Sequence, residues 1–349
     1  VNRYLKFLSL EVEPYLRSGS KKPLGLQAKE LRALWQRYRC PPYHYFKHRL
    51  YERDAHPQVL DYVPPEVIGR FQRHANPKEK LRMLADKLET CRALAAEGIP
   101  CAATLFSITR SGQIVDATGR EVSADAAVET LRLRGGEVFV KPIDGGVGDG
   151  ASAVPVESIG PEFFSVARNI IVQPLIRNHP VLDRIFPGSL NTIRLDTLLD
   201  GETCSITGAC LKIGTGRSQV DNWAKGAIAV GVDMESGALA RIGIKKAAFG
   251  RTVHAFHPDT GIRFEGIVIP WWSEVLALTQ RSAFALRPHV TLGWDIAVTP
   301  GGPVAIEANQ TGDVFLLQEA CGPLGHTQLA QKAMVHWKHL KGIQSGERT

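Results

Sequence analysis

The chain has 349 residues, more than one hydrophobic core usually holds, so two or three packed lobes are expected. With 44% hydrophobic and 22% charged residues it has the composition of an ordinary globular protein, and no run approaches the roughly 18 apolar residues of a membrane span. A net charge of +7 without a long basic run argues against a nucleic-acid partner and favours phosphate-bearing or acidic small molecules.

The amino-terminal segment VNRYLKFLSLEVEPYLRSGSKK is broken by charges and lacks the apolar core of a secretory signal. Cys40, Cys91, Cys101, Cys204, Cys210 and Cys321 are scattered without a Cys-x-x-Cys pair, which predicts reduced thiols in a cytoplasmic protein rather than a disulfide framework or zinc ribbon. Residues 1–80 read as a mostly helical region, with Leu31, Leu34, Trp35 and Tyr38 at helical spacing and an irregular stretch around Pro41 and Pro42. Asn76 before Pro77 reads as a cap, so a helix is predicted from about 77 to 97, stopped by Gly98 and Pro100.

AATLFSI and EVFVKPI read as strands, with a short helix between them around 124–133. IIVQPLI is a buried strand, and NTIRLDTLLD, CSITGACLKIG and IAVGVDM continue a sheet. An amphipathic helix is predicted over Ser273 to Leu286, a hairpin over GWDIAVTPGGPVAIEANQ, and a last helix from about Leu324 to Leu340. The pattern is α+β with antiparallel hairpins, divided into a helical region 1–80, a lobe 81–175 and a lobe 176–349.

KPIDGGVGDGASAV places Gly145, Gly146, Gly148 and Gly150 behind Lys141. A P-loop needs Lys followed by Ser or Thr at a helix start, and a dinucleotide fingerprint needs a helix after its third glycine; ASAVPV alternates like a strand and meets neither. Two readings remain: a flap that closes over nucleotide phosphates, with Lys141 at its base, or a long hairpin turn with a surface lysine.

In the last hairpin, Glu307 and Asn309 share a face. A turn centred on Gly301 sets Asp295 opposite Glu307, with Ile296 against Ile306 and Val298 against Val304 on the other face; an even loop would split the carboxylates. Two carboxylates and an amide oxygen on one face form a hard-oxygen set suited to Mg²⁺, or else a solvated hairpin face. His254 and His257, beside PDTG and without a third ligand nearby, are expected in a loop or substrate-lobe role, and Trp271 and Trp272 in packing.

Taken together, DK at 86–87 with GIP, VKPIDGGVGDG, IIVQPLIRNHP, SLNTIRL, DNWAKGAIAVGVD, HPDTG and WDIAV with AIEANQ resemble the ATP-grasp superfamily, most closely its sugar-transfer associated branch. The resemblance implies two α+β lobes clasping ATP, with Lys87 and Lys141 on its phosphates and the 145–150 loop as flap. It implies that Gln173, Pro174 and Leu175 line the adenine pocket. Where relatives place a ribose-binding glutamate, no acid appears before Asp183. Asp295, Glu307 and Asn309 match Mg²⁺ ligands, and Arg194, Lys212, Asn222 and Lys225 match positions that hold the terminal phosphate or an acyl phosphate. The implied activity is ATP- and Mg²⁺-dependent joining of a small-molecule carboxylate to an amine through an acyl phosphate, in polysaccharide or glycan assembly; a small-molecule kinase and a noncatalytic anion-binding protein are the rival readings.

Overall fold

A computed structural model describes residues 8–144 and 150–342. Among the described residues thirteen strands form two antiparallel sheets. The six-stranded sheet has the order β3-β2-β1-β6-β4-β5, from β1 (Phe106–Ile108), β2 (Ile114–Asp116), β3 (Glu121–Val122), β4 (Glu137–Pro142), β5 (Ser152–Pro155) and β6 (Ile170–Pro174). Its apolar face, with Ile108, Val138 and Val172, closes on the helices Ala124–Arg134 and Pro161–Val166. β4 and β5 pair antiparallel from Glu137↔Pro155 to Val140↔Ser152, as the alternation of ASAVPV requires.

The seven-stranded sheet runs β11-β10-β9-β8-β7-β12-β13, from β7 (Thr192–Asp200), β8 (Thr203–Ile213), β9 (Ile228–Val232), β10 (Leu239–Lys245), β11 (Val253–His254), β12 (Thr291–Thr299) and β13 (Gly302–Asn309). Period-two alternation sends Ile193, Leu195, Leu211, Val230, Trp294 and Ile296 to one face, against the helix Trp272–Ala285. The helix Val314–Cys321 covers β8, β9 and β10, and the N-terminal helices pack with it and with Gln328–Leu340 in a shared core. Leu34 and Tyr38 enter that core from the helix Leu24–Tyr38, but Trp35, expected on the same stripe, is exposed.

Three sequence expectations are corrected. The helix predicted from 77 to 97 is a 3₁₀ turn Lys78–Lys80 and two helices, Leu81–Ala85 and Lys87–Ala96. The break falls at Asp86, whose carboxylate accepts from the Leu88 and Glu89 amides, while Asn76 is buried and hydrogen-bonds the start of β12 and the end of the hairpin. Cys91 and Cys101 are joined, with Cα atoms 6.0 Å apart, because the turn at Gly98 brings the chain back along the helix that carries Cys91; Cys40, Cys204, Cys210 and Cys321 are free.

The third correction is the hairpin register. The turn is an even one, with Thr299 opposite Gly302 and Ile296 opposite Ala305, Ala297 opposite Val304 and Val298 opposite Pro303. Asp295 still faces Glu307 because a bulge at Ile306 inserts one residue into β13. Ile306 therefore leaves the core face it was assigned and lines the same cavity as Glu307. No helix among the described residues is long and apolar enough to cross a membrane.

Candidate active site

The two sheets enclose a cavity of about 570 Å³. Its floor is a row of charge across four adjacent strands: Lys212 on β8, Arg194 on β7, Asp295 on β12 and Glu307 on β13. Arg194 lies directly across from Asp295, and Asp295 from Glu307, so all project from one face. Their chain neighbours Ile193, Leu195, Leu211, Trp294 and Ala308 point into the core and fix that orientation.

Asp295 is the centre of the row. Its Oδ1 lies 3.1 Å from Arg194 Nε and 3.0 Å from Lys212 Nζ, and Arg194 Nη2 donates to Oδ2 at 3.3 Å. Burial alone would raise the Asp295 pKa, but Arg194 and Lys212 hold it below the ordinary value. Burial opposes the charge on Lys212 as well, yet Asp221 and Asp295 keep its pKa raised. Asp221 lies 3.8 Å from Lys212 Nζ and accepts from the Thr192 amide at 2.7 Å.

The six-stranded sheet supplies the roof. Lys141 lies on β4 just before its last residue, Pro142, and burial lowers its pKa to about 8, with Glu307 opposing that shift and Lys87 adding to it. Lys87 begins its helix 3.9 Å from Glu307. Gln173 is buried and donates from Nε2 to the Ala102 carbonyl at 2.9 Å, and Pro174, Leu175 and Asp183 line the same end of the chamber as Arg177, which pairs with Glu137 at 3.0 Å.

The structure therefore brings Lys87, Lys141, Gln173, Pro174, Leu175, Asp183, Arg194, Lys212, Asn222, Asp295, Glu307 and Asn309 to one cavity. Lys225 is not in its lining; it is exposed on the turn Trp223–Lys225. Gly150 has the positive φ of +72° that glycine accommodates, and Gly145, Gly146 and Gly148 lie outside the described residues. His257 is buried with its ring bonded to the Gly214 carbonyl at 2.8 Å, and Trp272 packs in the core with its indole donating to Met234.

Sequence reasoning missed Asp221 and Lys246, which line the cavity, and Asp196, buried behind Arg194 on β7 outside its lining. Asp221 adjoins Asn222 in DNWAKG, and Asp196 alternates with Arg194 in RLD, so both carried a signal. Lys246, directly after β10, carried none.

Among the described residues no three His, Cys, Asp or Glu side chains converge on a metal-sized site. The hairpin set that lines the cavity, Asp295, Glu307 and Asn309, is two carboxylates and an amide, a hard-oxygen donor set that fits a hard cation.

The model of the family described as sugar-transfer associated ATP-grasp matches residues 156–331. Among solved structures, the chain is similar to the D-alanine–D-alanine ligase of Coxiella burnetii at 13% identity, over 79% of this chain and 68% of that one, with a TM-score of 0.43. It is similar to an L-amino acid ligase from Bacillus licheniformis at 12% identity, over 77% and 51% of the two chains, with a TM-score of 0.41. Similarity to a biotin carboxylase complex from Campylobacter jejuni is 14% identity over 77% and 51%, with a TM-score of 0.44, so the chain spans about half the length of the last two. No curated protein matches the sequence.

Proposed function

The chain belongs to the sugar-transfer associated ATP-grasp family, and from that premise we propose that it is an ATP- and Mg²⁺-dependent ligase that joins a small-molecule carboxylate to an amine. The observation that carries this reading is the charged row Lys212, Arg194, Asp295 and Glu307 set beneath Lys87 and Lys141 in one cavity between two sheets. A carboxylate that attacks a triphosphate meets strong repulsion, and preorganised cations aimed at the transferring group offset it.

In this reading Gln173, Pro174 and Leu175 flank the adenine, Asp183 is the acid nearest to serve the ribose, and Lys141 and Lys87 reach the phosphates. A carboxylate oxygen of the acid attacks the γ-phosphorus and ADP leaves with the electrons of the broken bond. The amine nitrogen then attacks the acyl carbon, phosphate departs, and the nitrogen loses a proton. Arg194 and Lys212 hold the phosphoryl oxygens through both steps. Asp295, Glu307 and Asn309 would hold Mg²⁺, which when bound neutralises charge on phosphate oxygens. The family description suggests a sugar-linked substrate.

The test is ADP release from purified protein with pooled uronic acids, amino acids and amines, with products identified by mass. ADP should appear only when acid and amine are both present, and Glu307→Gln should lower the rate about 100-fold or more. A stable phosphorylated acceptor formed without an amine identifies a kinase, and near-normal turnover by Glu307→Gln refutes the metal assignment.

A further inference from the structure

Most cations that line the cavity face a carboxylate. Lys87 faces Glu307, Arg194 and Lys212 face Asp295, and Arg177 faces Glu137. Among the described residues, Lys141 and Lys246 line the cavity without an ion pair. Lys141 stands beside the residues assigned to the nucleotide. Lys246 stands elsewhere: it directly follows β10, which is five strands from β13 of Glu307 and two from β8 of Lys212 in the sheet order, or about 24 Å and about 10 Å at ~4.8 Å per strand.

The surroundings of Lys246 are built. Its ammonium lies over the Trp223 ring, 5.3 Å from the centroid. Trp223 is buried, donates from Nε1 to the Ile244 carbonyl at 3.1 Å and packs on Phe315. The Lys246 carbonyl accepts from the Phe249 and Arg251 amides at 2.8 and 3.3 Å, and the buried Arg251 guanidinium grips Glu319 at 2.5 and 2.7 Å. Phe249 lies across Gly226, where φ is +96° and a Cβ would come within 3.1 Å of the ring. The turn that carries Lys246 is thus locked to the turn that carries Asn222, whose Oδ1 accepts from the Ala224 amide at 2.8 Å and whose Nδ2 lacks a protein acceptor among the described residues. A cation and an amide donor beside an aromatic wall suit an anion and repel an amine.

We propose that Lys246, Asn222 and Trp223 form a subsite for a second anionic group on the acid substrate. The substrate is then a dianionic acid: one carboxylate reacts beside Arg194 and Lys212, and the other carboxylate or phosphate is held at Lys246, about 10 Å away across two strands. This rests on the ligase reading, which supplies the reacting carboxylate.

The experiment pairs dianions with monoanions of like shape: adipate with hexanoate, and glucarate or 6-phosphogluconate with gluconate. Hydroxylamine serves as the amine, since its nitrogen displaces phosphate from an acyl phosphate to give a measurable hydroxamate. Wild-type protein should show a KM for the dianion at least about tenfold lower, and Lys246→Ala should raise that KM about tenfold with kcat reduced less than threefold. Lys246→Arg should keep the preference, and glucarate against 6-phosphogluconate tells which anion the subsite holds. Equal KM values for both classes, or a preference that survives Lys246→Ala, overturns the subsite.

Tryptophan fluorescence, read with the same acids and no nucleotide, separates the two readings because Lys246 lies over Trp223. Saturable binding of a dianion that is lost in Lys246→Ala, without hydroxamate or ADP from any acid, refutes the ligase and keeps the subsite. Absence of saturable dianion binding overturns the subsite whatever the turnover.

Discussion

Arg194 and Lys212 share one carboxylate, and their burial makes that sharing costly to break. Asp295→Asn would leave the buried Arg194 without its ion-pair partner and Lys212 with Asp221 alone, a loss of about 3–5 kcal/mol that should appear as a lower urea midpoint with an unchanged m-value. Because these cations depress the Asp295 pKa, its contribution is fully present above the ordinary carboxylate range. It is lost as pH falls through the depressed value, so the wild-type and variant curves should converge in acid. Asp196 has the opposite sign. It is buried on β7, and burial, opposed by Arg194 and aided by Asp313 and Asp295, lifts its pKa to about 7. Between about 4 and 7 the folded chain keeps a proton that the unfolded chain has lost, so this group lowers stability as pH rises. Asp196→Asn should therefore be more stable than wild type at pH 8 by about 1–3 kcal/mol, with the gain shrinking toward pH 5; an equal difference at both pH values would refute the assignment. Arg194 is legible through the family resemblance of SLNTIRL, and Asp295 through its place opposite Glu307 in the hairpin. The sequence does not reveal the enclosure of Asp196, which depends on Gly293 and Gly312 leaving room for its carboxylate from other parts of the chain.

At the scale of elements, the same residue types serve other ends than local pattern suggests. Asn76 precedes a proline and looks like a helix cap, but its side chain donates to the Thr291 and Gln310 carbonyls and accepts from the Val290 and Thr291 amides, at 2.8 to 3.0 Å. A lost cap costs about 1 kcal/mol, whereas four backbone groups, two of them buried and two half-buried, stripped of their partner cost roughly 3 kcal/mol or more. The denaturant-measured loss in Asn76→Ala decides between these roles, and we expect the larger value. The cap belongs to Asp86, and the break it makes in the predicted helix sets Lys87 at a helix start beside Glu307. Asp86→Ala should cost about 1 kcal/mol and raise the KM for ATP while kcat changes less, since it loosens the first turn that aims Lys87. The hairpin carries the same lesson. The expectation that Asp295 faces Glu307 holds, but through an even turn and a bulge rather than an odd turn, because Thr299 and Gly302 close a tight two-residue loop and Ile306 absorbs the extra residue. Alternation fixes which side chains must share a face; it leaves open how the backbone achieves it.

The site is a property of the whole molecule, since neither sheet closes the cavity alone. Leu84, Leu94 and Ile99 pack under the seven-stranded sheet, and the six-stranded sheet begins at Phe106. The N-terminal helices share a core with Val314–Cys321 and Gln328–Leu340. Such long-range packing was not legible because it depends on contacts between residues some 250 positions apart, such as the Val63 amide on Gln318. Direct ties span the cavity too: Lys87 Nζ donates to the Ile143 carbonyl and approaches Glu307, and the Ala153 amide of β5 donates to Gln219, two residues before Asp221. A nucleotide bound here must therefore contact both sheets, and it should stabilise them as one unit. At a concentration 1,000 times its Kd, ATP with Mg²⁺ should add about 4 kcal/mol, which for a chain of this length is a rise in Tm of about 5–6 °C. Each tenfold loss of affinity, on omitting Mg²⁺ or in Glu307→Gln, should remove about 1.4 kcal/mol, or about 2 °C of that rise. The scan should show a single transition that moves as a whole. Two transitions of which only one responds would confine binding to one sheet and refute a cavity shared between them.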